Sequence, residues 1–187
     1  MLHDDSIELL FRLFAHDTDT AYHCCRVAGM VEKMSNYLKL SASEKEIYFS
    51  GALLHDIGKS RVAPQILKAP RALSSDEMTE IRMHPVWGEE FAKICSYPED
   101  VCKLIRWHHE RLDGSGYPDK LMGDELSDGV RLIGLCDSID AMAHYRPYHT
   151  GCSKEECYSR LSADASLFDE HMMEMFFQNW DDIIRPE

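Results

Sequence analysis

Apolar residues recur along this chain at the three- and four-residue steps of an amphipathic helix, and no stretch alternates convincingly like a β-strand. A first helix is expected over about residues 4–15. A second is expected over about residues 20–38, where Val27, Met30 and Met34 share one side. The pattern therefore predicts an all-α fold.

Capping signals mark where the later helices begin and end. A third helix is predicted from Ser43, because Glu46 three positions later completes a capping box. Gly58 is expected to end this helix in the left-handed conformation. His84-Pro85 begins another helix, since proline is favoured at the first helical position. Further helices are expected at about residues 75–83, 98–109, 127–145, 153–165 and 169–180, with a loop at residues 113–118.

Length and charge limit the function. The 187 residues fit one domain, and 44% hydrophobic with 28% charged residues is ordinary for a globular protein. The formal net charge of −13 argues against binding to DNA, RNA or an anionic membrane, which requires a basic surface. An anionic substrate would need cations supplied locally at its site.

Seven cysteines without a C-x-x-C pair indicate reduced thiols rather than a disulfide framework or a zinc ribbon. The first ten residues carry acids and lack the basic region of a secretory signal. No apolar run approaches the ~20 residues that would span a bilayer. We therefore expect a soluble cytoplasmic protein.

Histidines lie beside acids at predicted helix ends, an arrangement typical of a metal centre. Imidazole nitrogens bind Fe, Mn, Zn or Co, and a carboxylate can bridge two cations. Two metals about 3.5–4 Å apart can activate water and stabilise phosphoryl charge. Adjacent helical side chains diverge by about 100°, so a pair at a helix end can reach a cluster from two directions. The candidate ligands are Asp19, His23, His55, Asp56, His84, His108, His109 and Asp137.

Taken singly, these residues are weak indicators. A His-Asp pair is more often exposed than metal-binding, and a buried histidine such as His23 is more often a hydrogen-bonded core residue. Asp137 could be a solvated acid on a helix. His3 and His171 lack such partners and are expected to lie on the surface. The prediction depends on the ordered set.

That ordered set resembles the HD-GYP family, a branch of the HD-domain phosphohydrolases. The resemblance spans about residues 17–177 and implies an all-α, single HD-type helical domain with the HD-GYP extension. Glu170 stands where the family carries proline. The matching segments are RVA at 26–28, HDIGK at 55–59, HHE at 108–110, DGSGYP at 113–118, CDSIDA at 136–141, RPY at 146–148 and LFD at 167–169.

The resemblance implies a centre of two or three divalent metal ions, with iron or manganese expected. Asp56 would be the bridging carboxylate. Asp19 stands where some relatives carry a glutamate that holds a third metal. The remaining implied ligands are His23, His55, His84, His108, His109 and Asp137.

The resemblance also implies the reaction and the substrate contacts. Cyclic di-GMP would be opened by hydrolysis to pGpG, and some relatives continue to GMP. Asp56 and Lys59 are the expected catalytic residues, and Lys59 would also neutralise a substrate phosphate. Arg146 matches a position that contacts the phosphate region. His149 stands where many relatives carry Lys or Arg, and Tyr117 is a candidate for stacking or hydrogen bonding.

Three alternatives stay open at this stage. The substrate could be another cyclic dinucleotide, cyclic GMP-AMP. The domain could be a non-catalytic binding or interaction module, although its ligand set is complete. A nucleotidase or dNTP hydrolase of the wider HD superfamily is disfavoured, since those enzymes generally lack the His-His-Glu and Gly-Tyr-Pro segments.

The organisation expected from sequence is an N-terminal helix at residues 1–16 followed by a catalytic domain at residues 17–187. The N-terminal helix could be a linker or a dimer element, which leaves a homodimer open. The Gly-Tyr-Pro loop, ending in Tyr117-Pro118, could dock a protein partner in addition to any role in catalysis.

Overall fold

The computed structural model describes residues 4–144, 151–164 and 166–184, with side chains from residue 8 onward. Its described part contains helices and no strand, which confirms the all-α expectation. The helices are α1 (Asp4–His16), α2 (Thr18–Tyr37), α3 (Ala42–Leu54), α4 (Pro64–Leu67), α5 (Ser75–Ile81), α6 (His84–Ile94), α7 (Glu99–Trp107), α8 (Asp128–Ala143), α9 (Lys154–Ala163), α10 (Glu170–Gln178) and α11 (Trp180–Ile183), with 3-10 turns at Ile57–Arg61 and Gly123–Glu125.

The start of α3 corrects the predicted cap. Ser41, not Ser43, accepts the hydrogen bond from the backbone N–H of Glu44, and the Glu44 carboxylate accepts one from the backbone N–H of Ser41. Both Ser41 and Ser43 precede a glutamate by three positions, so the sequence offers two boxes. The structure uses the earlier one, and α3 begins two residues sooner.

Gly58 does not end α3 in the left-handed conformation, so that expectation is wrong. It lies in the 3-10 turn, and its φ is outside the positive range. A Cβ added to Gly58 would lie 1.9 Å from the backbone oxygen of His84 and 2.7 Å from the backbone nitrogen of Gly88. Glycine is therefore required here because α6 passes directly against the turn.

The core lies between α2, α3, α7 and α8. One buried cluster joins α2 and α8 to the C-terminal helices through residues such as Met34, Ile133 and Phe176. A second joins α1, α3 and α7, with Leu13 and Ile105 fully buried. The packed interior thus holds the ends of α3, α6 and α7 at one place.

No helix in the described ranges is both long enough and apolar enough to span a membrane.

Candidate metal centre

The candidate ligands come from helix ends and helix faces that converge in the interior. His55 is the residue that ends α3, with Asp56 directly after it. His84 is the first residue of α6, and His108 ends α7. His23 lies on α2 and Asp137 on α8. These side chains are buried, except that of His109, which is half-buried at the edge. The set consists of His23, His55, Asp56, His84, His108, His109 and Asp137.

One group of possible ligands joins α2, α3 and α8. His23 Nε2 lies 3.0 Å from Asp137 Oδ1 and 3.3 Å from His55 Nε2. His55 Nε2 lies 4.0 Å from Asp137 Oδ1. One donor atom from each of these residues falls within 4.8 Å of the others, which is close enough for all three to reach a single cation.

A second group joins α6 and α7. His84 Nε2 lies 3.1 Å from Asp56 Oδ1 and 3.2 Å from His108 Nε2. His109 completes this group. Asp56 lies between the two groups, because its other oxygen, Oδ2, is 3.5 Å from His55 Nε2. This position is the one that a bridging carboxylate would take.

Backbone carbonyls fix the protonation of three imidazoles. The Nδ1–H groups of His55, His84 and His108 each donate to the carbonyl oxygen three residues earlier, at 2.7 Å in every case. A carbonyl can only accept, so Nδ1 of each ring carries a proton, and Nε2 presents a lone pair to the centre when the ring is neutral. Such lone pairs face one another at 3.2 Å between His84 and His108, an arrangement that a cation between them would stabilise.

The electrostatics suit cation binding. Burial and neighbouring imidazoles hold the pKa of His108 well below its ordinary value, and burial does the same for the pKa of His109. Burial alone would raise the pKa of Asp56, but Lys59 and His55 outweigh it and hold that pKa well below the usual range. The pKa of Asp137 is likewise held low, against burial, by His23 and His109. Ionised carboxylates thus face the neutral imidazoles of His108 and His109, whereas Asp56 raises the pKa of His55, and Asp137 and Asp140 raise that of His23, in both cases against burial.

One buried atom supports the fit of metal ions directly. Asp56 Oδ1 is inaccessible to solvent and makes no hydrogen bond within the described part of the chain. An unpaired buried carboxylate oxygen costs free energy unless a cation or donor compensates it. The donors are imidazole nitrogens and carboxylate oxygens, and Asp56 lies between two groups of them. This donor set therefore fits a pair of divalent transition metals.

Asp140 is a residue of the site that the sequence did not assign, although CDSIDA contributed to the resemblance. It is fully buried, and its Oδ2 accepts a hydrogen bond from His23 Nδ1 at 2.6 Å. Arg26 donates to both of its oxygens, at 2.8 Å each, and His144 Nδ1 lies 2.9 Å away. The spacing of Asp137 and Asp140 on one helix face was the available signal.

Lys59 lies inside the centre. Its Nζ is 2.5 Å from Asp56 Oδ2, so the ammonium faces the carboxylate that both groups share. Tyr117 lies at the edge, where its ring stacks on His109 with a centroid distance of 4.8 Å. The expected contacts of both side chains with substrate stay predictions, and their positions beside the ligands are compatible with them.

One other expected residue, Asp19, does not lie in the cluster. Asp19 is exposed on the first turn of α2 and belongs to none of the groups of closely spaced donors among the described residues. Its role with a third metal stays a prediction. Arg146 and His149 lie outside the described residues.

The Gly-Tyr-Pro loop is held against the end of α7 by Glu110 and by the close approach of Gly116. Glu110 is buried, and one carboxylate oxygen accepts from the backbone N–H groups of Asp119, at 2.7 Å, and Lys120, at 3.0 Å. A Cβ on Gly116 would lie 2.4 Å from the Cα of Glu110, so only glycine permits this approach. The loop thereby places Tyr117 against His109.

The fold and the site together define an all-helical protein with a buried cluster of His and Asp side chains that could hold metal ions. The family model described as "HD domain" matches residues 10–172, and the chain belongs to that family. The HHE and DGSGYP segments and the relatives described next place it among the HD-GYP proteins.

Curated relatives include cyclic dinucleotide phosphodiesterases. A "3'3'-cGAMP-specific phosphodiesterase 2" of Vibrio cholerae is 28% identical over 98% of this chain and 36% of its own length. A "Probable cyclic di-GMP phosphodiesterase" of the same organism is 34% identical over 89% of this chain and 42% of its own length. This chain thus spans well under half of these relatives.

Solved structures show the same fold at low sequence identity. An HDG"Y"P protein from Bdellovibrio bacteriovorus superposes with a TM-score of 0.72 at 18% identity, covering 86% of this chain and 52% of that one. The HD domain of the L. monocytogenes phosphodiesterase PgpH, in complex with cyclic-di-AMP, gives a TM-score of 0.71 at 14% identity, covering 96% of this chain and 98% of that one.

Proposed function

We propose that this domain is a metal-dependent phosphodiesterase that hydrolyses cyclic di-GMP to pGpG, with further hydrolysis to GMP as a second step. The observation that carries the proposal is the buried convergence of imidazole nitrogens on both sides of Asp56, whose Oδ1 has no hydrogen-bond partner in the described part of the chain. Similarity to curated phosphodiesterases of this substrate class supports it.

Two divalent ions would be held by the two groups, with Asp56 as their shared ligand. His23, His55 and Asp137 would hold one ion. His84, His108 and His109 would hold the other. When bound, such ions polarise phosphoryl oxygens and acidify water, which supplies the nucleophile at neutral pH. Iron and manganese are the proposed metals, because the two groups offer nitrogen and oxygen donors.

The chain's own side chains would bind and orient the substrate. Lys59 carries an ammonium group at the shared carboxylate, where it can also pair with a phosphate oxygen. Tyr117, whose ring stacks on His109, is proposed to contact the substrate beside the ligands. Arg146 and His149, outside the described residues, are proposed to contact the phosphate region.

Product analysis tests the proposal. The chain is reconstituted without oxygen with Fe(II) or Mn(II), cyclic di-GMP is added, and pGpG and GMP are separated by chromatography. We expect turnover by the wild type and loss of both bound metal and turnover in Asp56→Ala. Asp181→Ala, which changes an exposed acid of α11, is the matched control. A metal-loaded wild type that leaves cyclic di-GMP intact would refute the proposal.

A second substrate is favoured by one comparison. The relative matched over 98% of this chain is a 3'3'-cGAMP-specific phosphodiesterase. We therefore propose cyclic GMP-AMP as the alternative substrate of the same centre. Competition between the two dinucleotides in one reaction mixture, followed by quantification of each linear product, separates the two candidates through their relative kcat/KM.

A further inference from the structure

Most cationic side chains around the metal centre are engaged with acceptors of the protein. Lys59 pairs with Asp56, and Arg26 forms two hydrogen bonds with Asp140. Arg111 donates to two backbone carbonyls, at 2.8 and 3.1 Å. Arg26 and Arg111 brace the protein itself, and Lys59 and Arg146 are already proposed for the reacting phosphate, so a ligand with a second phosphate calls for a further positive group.

Arg82 is such a group. It caps the end of α5, two residues before the ligand His84, and its side chain is exposed. Its guanidinium carbon lies over the ring of Tyr117, 5.3 Å from the centroid. Among the described residues it has no carboxylate partner. The cation–π contact keeps the guanidinium beside the wall of the centre while leaving its N–H donors free.

The position of Arg82 relative to the ligands determines which part of a substrate it could meet. Tyr117 contacts both residues: its ring centroid lies 4.8 Å from that of His109 and 5.3 Å from the guanidinium carbon of Arg82. Arg82 therefore neighbours the ligand His109 through their shared contact Tyr117, and it lies outside the donor groups that would hold the reacting phosphate. A cyclic dinucleotide carries a second phosphodiester on the opposite side of its macrocycle.

We propose that Arg82 binds the phosphate of the cyclic dinucleotide that is not being hydrolysed, with Tyr117 as the platform that orients its guanidinium. This inference rests on the proposed function and adds a substrate subsite to it. Arginine suits this task because its planar donor fork matches two phosphate oxygens. In a chain of net charge −13, an unpaired arginine beside the centre also offsets repulsion of the anionic substrate.

Two substrates distinguish a subsite for the second phosphate from a general effect. Cyclic di-GMP carries two phosphodiesters, whereas bis(p-nitrophenyl) phosphate carries one, which must occupy the metals. In Mn(II)-loaded Arg82→Gln we expect KM for cyclic di-GMP to rise about tenfold or more, because a hydrogen bond to a charged group is lost. The kcat should stay nearly unchanged. The kcat/KM for bis(p-nitrophenyl) phosphate should stay at the wild-type value.

Variants control for charge and for folding. Arg160→Gln removes the same charge from the exposed face of α9 and should leave both substrates unaffected. Arg82→Lys keeps the charge without the fork and should give an intermediate KM for cyclic di-GMP. A parallel fall of activity on both substrates in Arg82→Gln would show that Arg82 supports the loop or the metals, which overturns the subsite.

The subsite and the proposed function fail in different ways. If the wild type hydrolyses cyclic di-GMP and Arg82→Gln has the same KM, the subsite is rejected and the phosphodiesterase function stands. If the wild type hydrolyses bis(p-nitrophenyl) phosphate but no cyclic dinucleotide, the function itself is rejected and the subsite falls with it.

Discussion

His23 donates its Nδ1–H to the carboxylate of Asp140 at 2.6 Å, whereas His55, His84 and His108 donate theirs to backbone carbonyls. An imidazole hydrogen-bonded to a carboxylate is a more basic ligand than one bonded to an amide oxygen. Asp140 is therefore a positioning residue: it fixes the tautomer and orientation of His23 without reaching the centre.

Asp140→Asn should weaken metal binding. The amide keeps the shape of the side chain but removes the negative charge behind His23, and such changes typically lower metal affinity about 10–100-fold. Titration with Mn(II) against a competing chelator measures the affinity. Asp164→Asn, an exposed acid at the end of α9, is the control and should bind as the wild type does. Equal affinity in all three proteins would contradict the assigned role.

The same substitution should change stability in a pH-dependent way. Burial opposes ionisation of Asp140, but His144, His23 and Arg26 lower its pKa below the ordinary value. The carboxylate therefore contributes stability that is fully present above the unfolded pKa of about 3.9 and is lost as pH falls through the lower folded pKa. Urea unfolding of the metal-free wild type and Asp140→Asn should differ by about 1–3 kcal/mol at neutral pH and by less below about pH 4.

Gly58→Ala should be strongly destabilising. The added methyl group would lie 1.9 Å from the carbonyl oxygen of His84, so α6 must move, and overpacking of this kind costs about 1–3 kcal/mol or more. Gly29→Ala is the matched control. Gly29 lies within α2 with nothing within 4 Å of its added Cβ, so alanine should stabilise the chain by about 0.5–1 kcal/mol. Urea unfolding measures both, and a neutral Gly58→Ala would contradict the close approach.

Ser41→Ala should lower the free energy of unfolding by about 1 kcal/mol, because it removes the side chain that caps α3. Ser43→Ala lies within the first turn and should change it by only a few tenths of a kcal/mol or less. Thermal or urea unfolding of the two variants compares the two capping boxes that the sequence offers. A larger loss of unfolding free energy in Ser43→Ala than in Ser41→Ala would show that Ser43 caps α3.

The number of metal ions is tested at Asp19. Three groups of donors lie close together in the described residues, the third formed by Cys24, His55 and Asp56, and Asp19 is exposed outside all of them. If a third ion binds as the family resemblance implies, Asp19→Ala should contain one metal ion fewer than the wild type after anaerobic purification. Inductively coupled plasma mass spectrometry gives the count, and equal content in both proteins would remove the third ion.

The sequence was sufficient for the fold class, because helical periodicity is a local pattern. The ligand set was predicted by the resemblance of widely separated His and Asp segments to a known family, and all of the expected ligands except Asp19 come together in the described residues. It could not choose between the boxes at Ser41 and Ser43, since each has a glutamate three residues later and packing decides. It misread Gly58, because the close approach of His84 depends on a helix distant in the chain. Asp140 was missed for a related reason: its partner, His23, lies 117 positions away.

Three imidazoles are each anchored to the end of the helix that precedes them, and this has a consequence for the order of events in assembly. Each ring is aimed by the local backbone that precedes it, so completing a helix end also sets the direction of its ligand atom. The apo chain should consequently reach its native arrangement unaided, and ion capture should add rigidity to a preformed cage. This separates it from small zinc domains, in which the ion itself drives the chain to fold.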